Sequence, residues 1–284
     1  MDFQKTPLKM VDTNKNKNQI RTKNMYSELE TRITNSNENC YYLNLGYWKN
    51  TNQTKVACEQ MIDQVIQFAP IQENQTLLDV GYGYGDQDIY LAKKIPHITI
   101  HGLNIIDNQV KKAQEKVIEN ELSDQIFLEK GDATELKYND NTFDTIIAIE
   151  SAFQFNTREK FFEEAYRTLK KNGILCLADC LPNAKTKNSD LEIRSERIGI
   201  PIKNQYGITT YIEILKKIGF NSIAYIDISE NVIPYSATEI SNKNGWRTET
   251  TVNLPKESNV LDNLIQNFNE STTIEKYYLI KAVK

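Results

Sequence analysis

The feature that most constrains this chain is a regular alternation of short apolar runs and amphipathic stretches that starts at residue 76. The apolar runs have the length of β-strands and lie at residues 76–80, 98–103, 126–129, 143–149 and 174–179. The stretches after the first, second and fourth runs carry apolar residues at helical spacing, which predicts helices there. Such alternation predicts an α/β fold with a mostly parallel sheet and helices on both of its faces.

The rest of the chain extends this pattern at both ends. Residues 57–68 carry apolar side chains at helical spacing and are predicted to form a helix before the first strand. After the fifth strand, the pattern predicts a helix over 211–218 and strands over 222–228 and 277–283. The helix that follows the fourth strand is predicted to end at residues 170–173, where two lysines precede an asparagine and a glycine.

A chain of 284 residues is long enough for one substantial core with elaborations. Residues 1–53 are predicted to be an N-terminal extension that forms a lid, with one short helix over 24–37, and residues 54–284 to be the main domain. Two polar and aromatic insertions, 181–206 and 230–275, follow strand ends, where open α/β sheets bind their ligands. We predict that these insertions form a substrate cap, because long loops at that edge are commonly lids.

Charge and composition narrow the possible partners. The net charge is −4 and no long run of one sign occurs, which argues against a nucleic-acid partner. No run approaches the ~20 apolar residues of a membrane-spanning helix, so we predict a cytoplasmic protein without stable membrane insertion. The four cysteines, Cys40, Cys58, Cys176 and Cys180, are predicted to be reduced structural thiols, and no metal site is predicted. A homodimer is left open.

The segment LLDVGYGYGD, residues 77–86, breaks from a buried strand directly into three glycines. A strand, a glycine turn and a helix together point free backbone N–H groups at a ligand and remove the side chains that would block it. The spacing of Gly81, Gly83 and Gly85 does not match the dinucleotide pattern G-x-G-x-x-G, because Asp86 stands where the third glycine belongs. A tight turn without a ligand remains the alternative.

The sequence Leu78-Asp79-Val80-Gly81-Tyr82-Gly83-Tyr84-Gly85 resembles the first motif of the class I S-adenosylmethionine-dependent methyltransferases. The resemblance is greatest to the branch that methylates small molecules such as sugars and polyketides. Further matching segments follow in the family's order: Gly102-Leu103-Asn104, Gly131-Asp132-Ala133, Phe143-Asp144, Glu150-Ser151, Leu169 to Ile174 and Tyr277 to Ile280. The segment Asn44-Leu45-Gly46-Tyr47-Trp48 is similar to an N-terminal element of that branch.

This resemblance implies a Rossmann-like three-layer αβα sandwich with a seven-stranded sheet whose last strand is antiparallel. It also implies that residues 54–284 form a methyltransferase domain that binds S-adenosyl-L-methionine and a small-molecule methyl acceptor. The residues implied to bind the methyl donor are Asp79, Gly81, Gly83, Gly85, Asn104, Ile105, Asp132, Ala133 and Glu150. Asn104 replaces the Asp or Glu that related enzymes use for the ribose hydroxyls, and an amide can accept one bond and donate another.

On the acceptor side, Glu150 and Gln154 are the predicted catalytic residues. Related enzymes often have a histidine at the position of Gln154, and an amide cannot take a proton. The predicted substrate-binding residues are Tyr42, Tyr47, Trp48, Gln154 and Asp179. Aromatic rings suit a cationic or methyl-bearing substrate, although ordinary packing explains them equally well.

Three functions from different classes therefore remain. The first, which we favour, is O- or N-methylation of a small molecule with S-adenosylmethionine as donor. The second is a member of the fold that binds the donor but has a ligand-sensing, cyclising or regulatory role, motivated by Gln154 and Asn104. The third is an NAD-dependent oxidoreductase, which the glycine spacing and the missing acidic residue disfavour.

Overall fold

The computed structural model describes residues 20, 22, 41–51, 53–183, 186–189, 191–192, 195, 199–232 and 275–284. Within them the chain forms a seven-stranded sheet in the order β3-β2-β1-β4-β5-β7-β6. The strands are β1 (Thr76–Val80), β2 (Thr99–Asn104), β3 (Ile126–Lys130), β4 (Phe143–Ile149), β5 (Leu169–Pro182), β6 (Asn221–Asp227) and β7 (Glu275–Val283). The pairs among β1 to β5 are parallel, and β7 runs antiparallel to both β5 and β6. The predicted fold class is confirmed.

Helices cover both faces of the sheet. They are α1 (Thr54–Phe68), α2 (Asp86–Lys94), α3 (Asp107–Glu119), α4 (Arg158–Thr168), α5 (Ile208–Ile218) and the single turn α6 (Ser229–Val232). Apolar side chains of α1, α2 and α3 join one buried cluster, and those of α4 and α5 join a second cluster on the other face. Neighbouring β1 residues divide between the two, with Leu77 in the first and Leu78 in the second. Burial on both faces explains why the central strand β4 is a nearly continuous apolar run.

The end of α4 differs from its predicted position. The helix ends at Thr168, and residues 170–173 already belong to β5. The sheet overrides the local stop signal because Leu169 pairs with Phe143 of β4, after which the register shifts between Phe143 and Thr145. At its other end α4 follows the expected rules, since the hydroxyl of Thr157 caps the helix by accepting a hydrogen bond from the backbone N–H of Lys160.

Several predictions fall wholly or largely outside the described residues: the part of the lid before residue 41, of which only residues 20 and 22 are described, the helix over 24–37, Cys40 and nearly all of the insertion 230–275. The other three cysteines are buried thiols that form no disulfide within the described residues. Across the part of the chain that the structure describes, the search for a helix of membrane-spanning length and hydropathy found none.

Candidate active site

A cleft opens at the carboxyl ends of the central strands. It lies where the strand order reverses, with β1 between β2 and β4, which is the usual ligand position in an open α/β sheet. Its floor comes from the turn after β1 (residues 81–85, the glycine turn) and from the ends of β2, β3 and β4. We call residues 41–48 the cover segment. Its first half, residues 41–44, forms one wall of the cleft. Of the predicted site residues, the cleft brings together Gly81, Gly83, Asn104, Ile105, Asp132, Ala133, Glu150, Gln154 and Tyr42.

The glycines of the turn have two different surroundings. Gly83 has φ +61° and lines the cleft, and a Cβ there would lie 3.0 Å from Leu43 Cδ1 of the cover segment. Gly85 has φ +78° and begins α2, and a Cβ there would lie 3.0 Å from Ala113 Cβ and 3.4 Å from Leu128 Cδ1. The predicted donor-binding residue Gly85 therefore lies against α3 and β3 outside the cleft, where its small size serves packing.

Asp79 lies beneath the glycine turn and does not line the cleft. Its side chain is fully buried, and its carboxylate accepts a hydrogen bond from Nε2 of Gln87, which does line the cleft. Burial raises the pKa of Asp79 to about 6, although the Gln87 hydrogen bond opposes this. Asp88, also fully buried, has its pKa raised well above the ordinary value, first by burial and then by repulsion from Asp79. Both neighbouring buried carboxyl groups therefore bind their protons more tightly than exposed aspartates do.

Asn104 ends β2 at the cleft, but other groups of the protein already occupy its amide. Its Oδ1 accepts from the backbone N–H groups of Ile105 and Ile106, at 2.8 and 3.4 Å. Its Nδ2 donates to the carbonyl of Gly83 at 3.2 Å and to Gln109 Oε1 at 2.8 Å. An amide offers two hydrogens and two lone pairs, so these four bonds fill its capacity. Direct ribose binding by the Asn104 side chain, as the sequence predicted, is not supported by this placement.

Gln109 is a cleft residue that the sequence analysis missed. It is buried in the first turns of α3, and its Nε2 has no hydrogen-bond partner within the described residues. A buried amide N–H pair without an acceptor costs free energy, and a ligand with hydroxyl groups in the cleft would satisfy it. The available signal was a polar residue on the inward face of a helix, next to Val110 and one turn before Ala113.

The turn after β3 brings Asp132 and Ala133 to the cleft. Asp132 Oδ1 accepts from the backbone N–H of Thr134 at 2.9 Å and from its hydroxyl at 2.7 Å. The side chain therefore shapes its own turn, which is the structural alternative for a Gly-Asp pair, and it lines the cleft as well.

Glu150 follows β4 with φ +52° and joins three parts of the chain. Its Oε1 accepts the backbone N–H of Leu45 at 2.6 Å and the hydroxyl of Tyr277 at 2.7 Å. The next residue, Ser151, donates its hydroxyl to the carbonyl of Val80 at 2.6 Å and ties the ends of β4 and β1 together. Glu150 and Gln154 both line the cleft, as predicted for the two catalytic candidates.

Three predicted substrate-binding residues lie outside the cleft. Tyr47 donates its backbone N–H to the carbonyl of Ala57 at 2.8 Å and packs against the core. The Trp48 indole N–H donates to the carbonyl of Leu45 at 2.7 Å. Asp179 is fully buried away from the cleft, and its two oxygens accept from the Arg158 guanidinium at 2.9 and 3.1 Å. Tyr47, Trp48 and Asp179 therefore contact other parts of the protein and do not line the cleft in which a substrate was predicted to meet them.

The pair of Arg158 and Asp179 belongs to a buried network that supports the wall carrying Gln154. Asn204 donates to the carbonyls of Phe153 and Phe155 at 2.9 and 2.7 Å, and its Oδ1 accepts the backbone N–H of Arg158 at 2.9 Å. Sequence reasoning missed Arg158 and Asn204, because neither stands in a recognisable motif. Their contact joins residues 46 positions apart.

Residues 78–177 match a family model described as a methyltransferase domain. The chain is 30% identical over 201 residues to erythromycin 3''-O-methyltransferase of Saccharopolyspora erythraea, a match that covers 68% of this chain and 66% of that enzyme, slightly under two thirds. It is 28% identical to 27-O-demethylrifamycin SV methyltransferase of Amycolatopsis mediterranei, with 68% of this chain and 71% of that enzyme covered.

Two solved structures share the fold over nearly the whole chain. A sarcosine dimethylglycine methyltransferase from Galdieria sulphuraria aligns with a TM-score of 0.71 at 17% identity and covers 92% of this chain and 98% of its own. The cyclase SpnF aligns with a TM-score of 0.68 at 21% identity and covers 96% of this chain and 97% of its own. At these identities the likeness concerns the fold alone.

Proposed function

Because the chain belongs to the class I S-adenosylmethionine-dependent methyltransferases, we propose that it transfers a methyl group to an oxygen or nitrogen atom of a small molecule bound beside the donor in the cleft. The observation that carries this proposal is the cleft itself. At the carboxyl ends of β1, β2 and β4 it combines bare glycine backbone with two buried amide donors, Asn44 Nδ2 and Gln109 Nε2, that have no hydrogen-bond partner in the described part of the chain.

The chemical groups of the cleft fit the methyl donor. The turn at Gly81 and Gly83 leaves room for the methionyl end, and Asn44 Nδ2 offers a hydrogen-bond donor to its carboxylate. Gln109 Nε2 offers a donor to the ribose hydroxyls, in the role first predicted for Asn104. We assign the adenine to Asp132 and Ala133, which line the cleft and offer a carboxylate for its amino group and a backbone N–H for a ring nitrogen.

When bound, the donor supplies a methyl group that its sulfonium already activates. The protein has mainly to align donor and acceptor and to exclude water. Alignment of donor and acceptor can lower the activation barrier by about 7 to 11 kcal/mol, whereas a positioned base raises the reaction rate by ~10²–10⁴-fold. We assign the orienting role to Glu150 and Gln154, whose side chains face the cleft, and the exclusion of water to Tyr42 and Leu43 of the cover segment. An amine acceptor needs no base at the moment of attack, but an alcohol has to lose its proton.

The proposal is tested by calorimetry with S-adenosylmethionine, S-adenosylhomocysteine and NAD, followed by a labelled-methyl assay. Erythromycin-, rifamycin- and ajmaline-type acceptors are suitable first substrates, since relatives carry these names. We expect both sulfur compounds to bind and NAD not to bind. Asp132→Ala should weaken donor binding by about 1 to 3 kcal/mol, through loss of a hydrogen bond to the adenine.

A second candidate function is favoured by Gln154, which lines the cleft but cannot accept a proton. It is a role in which the chain binds the donor without transferring its methyl group. Tight donor binding together with no labelled product, across oxygen and nitrogen acceptors, would support that role against the first.

We also propose a cytoplasmic location. We propose further that the protein has no nucleic-acid partner, which the net charge of −4 and the lack of a long basic run support. The homodimer stays a prediction that sedimentation would test.

A further inference from the structure

Glu150 connects the cleft to two segments that are far apart in the sequence. Its Oε1 accepts a hydrogen bond from the backbone N–H of Leu45, 105 residues earlier, and from the hydroxyl of Tyr277, 127 residues later. Both bonds are short, at 2.6 and 2.7 Å, as expected for a charged acceptor. The carboxylate lines the cleft at the same time. One side chain therefore joins the donor site, the cover segment and the final strand.

Tyr277 is held rigidly from its own strand. Its ring is fully buried in the core formed with α1 to α3, and its backbone pairs with Cys180 of β5. Its backbone N–H also donates to the hydroxyl of Ser229 at 2.9 Å. Burial, followed by the charge of Glu150, raises the pKa of Tyr277 well above its ordinary value. The phenol therefore remains a hydrogen-bond donor at neutral pH.

The cover segment depends on a few tethers. Tyr47 and Trp48 donate their backbone N–H groups to Ala57 and Asn231, at 2.8 and 2.7 Å, and these bonds hold its far end. At the end that lines the cleft, Leu45 donates its N–H to Glu150 at 2.6 Å, and two longer bonds of 3.4 Å run from the Cys58 thiol to the Asn44 carbonyl and from the Tyr42 hydroxyl to Glu59. The bond to Glu150 is the shortest of the three. If Glu150 swings away, this near end loses its charged acceptor.

We propose that Tyr277 is a positioning residue of the donor site: its hydroxyl fixes the Glu150 carboxylate, and Glu150 in turn holds the cover segment closed over the glycine turn through the Leu45 N–H. This inference rests on the proposed function, because the site that closes is the donor site. It adds a residue on the last strand to a site otherwise built from the first four strands and the cover segment.

The test compares Tyr277→Phe with Tyr278→Phe, the adjacent tyrosine. Tyr278 points to the other face of β7, in the core with α4 and α5, and its ring lies 5.9 Å from that of Tyr225. Each substitution removes one hydroxyl from the same strand and keeps the ring. With S-adenosylhomocysteine as probe, we expect Tyr277→Phe to weaken binding by about 10- to 100-fold, the factor for a lost hydrogen bond to a charged acceptor. Tyr278→Phe should bind as the wild type does.

A double-mutant cycle with Glu150→Ala asks whether Tyr277 acts through Glu150. If it does, adding Tyr277→Phe to Glu150→Ala changes the affinity no further, because the hydroxyl has lost the group that it positions. Additive losses would overturn the proposed route. A wild-type affinity in Tyr277→Phe would overturn the proposal, whereas a wild type that does not bind the probe at all would instead overturn the proposed function.

Trp48 provides a readout that does not depend on binding. Its indole N–H donates to the carbonyl of Leu45, so its emission reports on the near end of the cover segment. With Trp246, the other tryptophan of the sequence, replaced by phenylalanine, we expect stronger acrylamide quenching of Trp48 in both Tyr277→Phe and Glu150→Ala. If Tyr277→Phe does not fold, Glu150→Ala alone decides, because unchanged quenching there means that Glu150 does not hold the segment.

Discussion

At the scale of single residues, the buried pair of Asp79 and Asp88 makes stability depend on pH. Burial raises the pKa of Asp79 from 3.8 to about 6. The pKa of Asp88 is raised well above its ordinary value, first by burial and then by the charge of Asp79. Tyr82 of the glycine turn and Asp86 of α2 are the other titratable groups that interact with the pair. The native state thus keeps protons that the unfolded chain releases near pH 4. The corresponding stability is fully present below that pH and is lost as the pH rises through the native values.

Asp88→Asn should remove most of the fall in stability at higher pH. The asparagine amide can donate a hydrogen bond to Asp79 and does not titrate. For Asp79, a pKa moved from 3.8 to about 6 is worth about 3 kcal/mol. We expect urea unfolding to show the variant about as stable as the wild type at pH 4 and more stable at pH 8, by about 1 to 3 kcal/mol. The exposed Asp124→Asn, with the same change in net charge, is the control. A stability difference between variant and wild type that stays constant with pH would contradict the raised pKa values of this pair.

Gly83 is the glycine of the turn at which a side chain interferes most directly with the ligand. A valine there has its Cβ about 3.0 Å from Leu43 Cδ1 and adopts a left-handed backbone that disfavours β-branched residues. We expect Gly83→Val to lower the affinity for S-adenosylhomocysteine at least about 100-fold, measured by calorimetry. Gly207→Ala, where the nearest atom lies 3.8 Å from the added Cβ, should bind normally. Normal binding by Gly83→Val would place the donor elsewhere.

At the scale of elements, the loop between β4 and α4 is held by the buried pair of Arg158 and Asp179. Burial raises the pKa of Asp179 even with the Arg158 guanidinium beside it, so desolvation outweighs the attraction. Such a pair contributes little net stability, but it becomes costly when one partner is removed. Its effect here is to fix the loop that presents Gln154 to the cleft.

Arg158→Met should therefore destabilise the protein by about 3 to 5 kcal/mol in urea unfolding, because Asp179 is left buried and without its charge partner. Adding Asp179→Leu should recover a large part of that loss. The exposed pair of Lys217 and Glu159, at 3.8 Å, is the control, and Lys217→Ala should change stability by no more than about 0.5 kcal/mol. A double variant as unstable as Arg158→Met would contradict this account.

At the scale of the whole molecule, the cleft joins the ends of β1 to β4 with the cover segment, so a ligand there stabilises the domain as one unit. S-adenosylhomocysteine at about 100 times its Kd should add about 2.7 kcal/mol to the free energy of unfolding. Thermal unfolding should show a matching rise in Tm that NAD at the same concentration does not produce. Equal shifts with both ligands would contradict a site selective for the methyl donor.

The sequence by itself determined the class of fold and the position of the site. Strand length, helical spacing and the glycine turn are local properties, so residues 76–180 carried enough information to predict the central strands, their mostly parallel sheet and the edge at which the cleft opens. For the same reason Gly81, Gly83, Asp132 and Glu150 were found in the cleft. Each of them lies within three residues of the end of a strand.

Only the tertiary structure decided what each polar group does there. Asn104 is saturated by bonds to Gly83 and Gln109, and Asp179 is paired with Arg158, so neither amide nor carboxylate is open to a ligand. The contact between Glu150 and Tyr277 spans 127 residues. A hydrogen-bonding group is free or occupied according to neighbours that long-range packing brings to it, and no local pattern in the sequence records those neighbours.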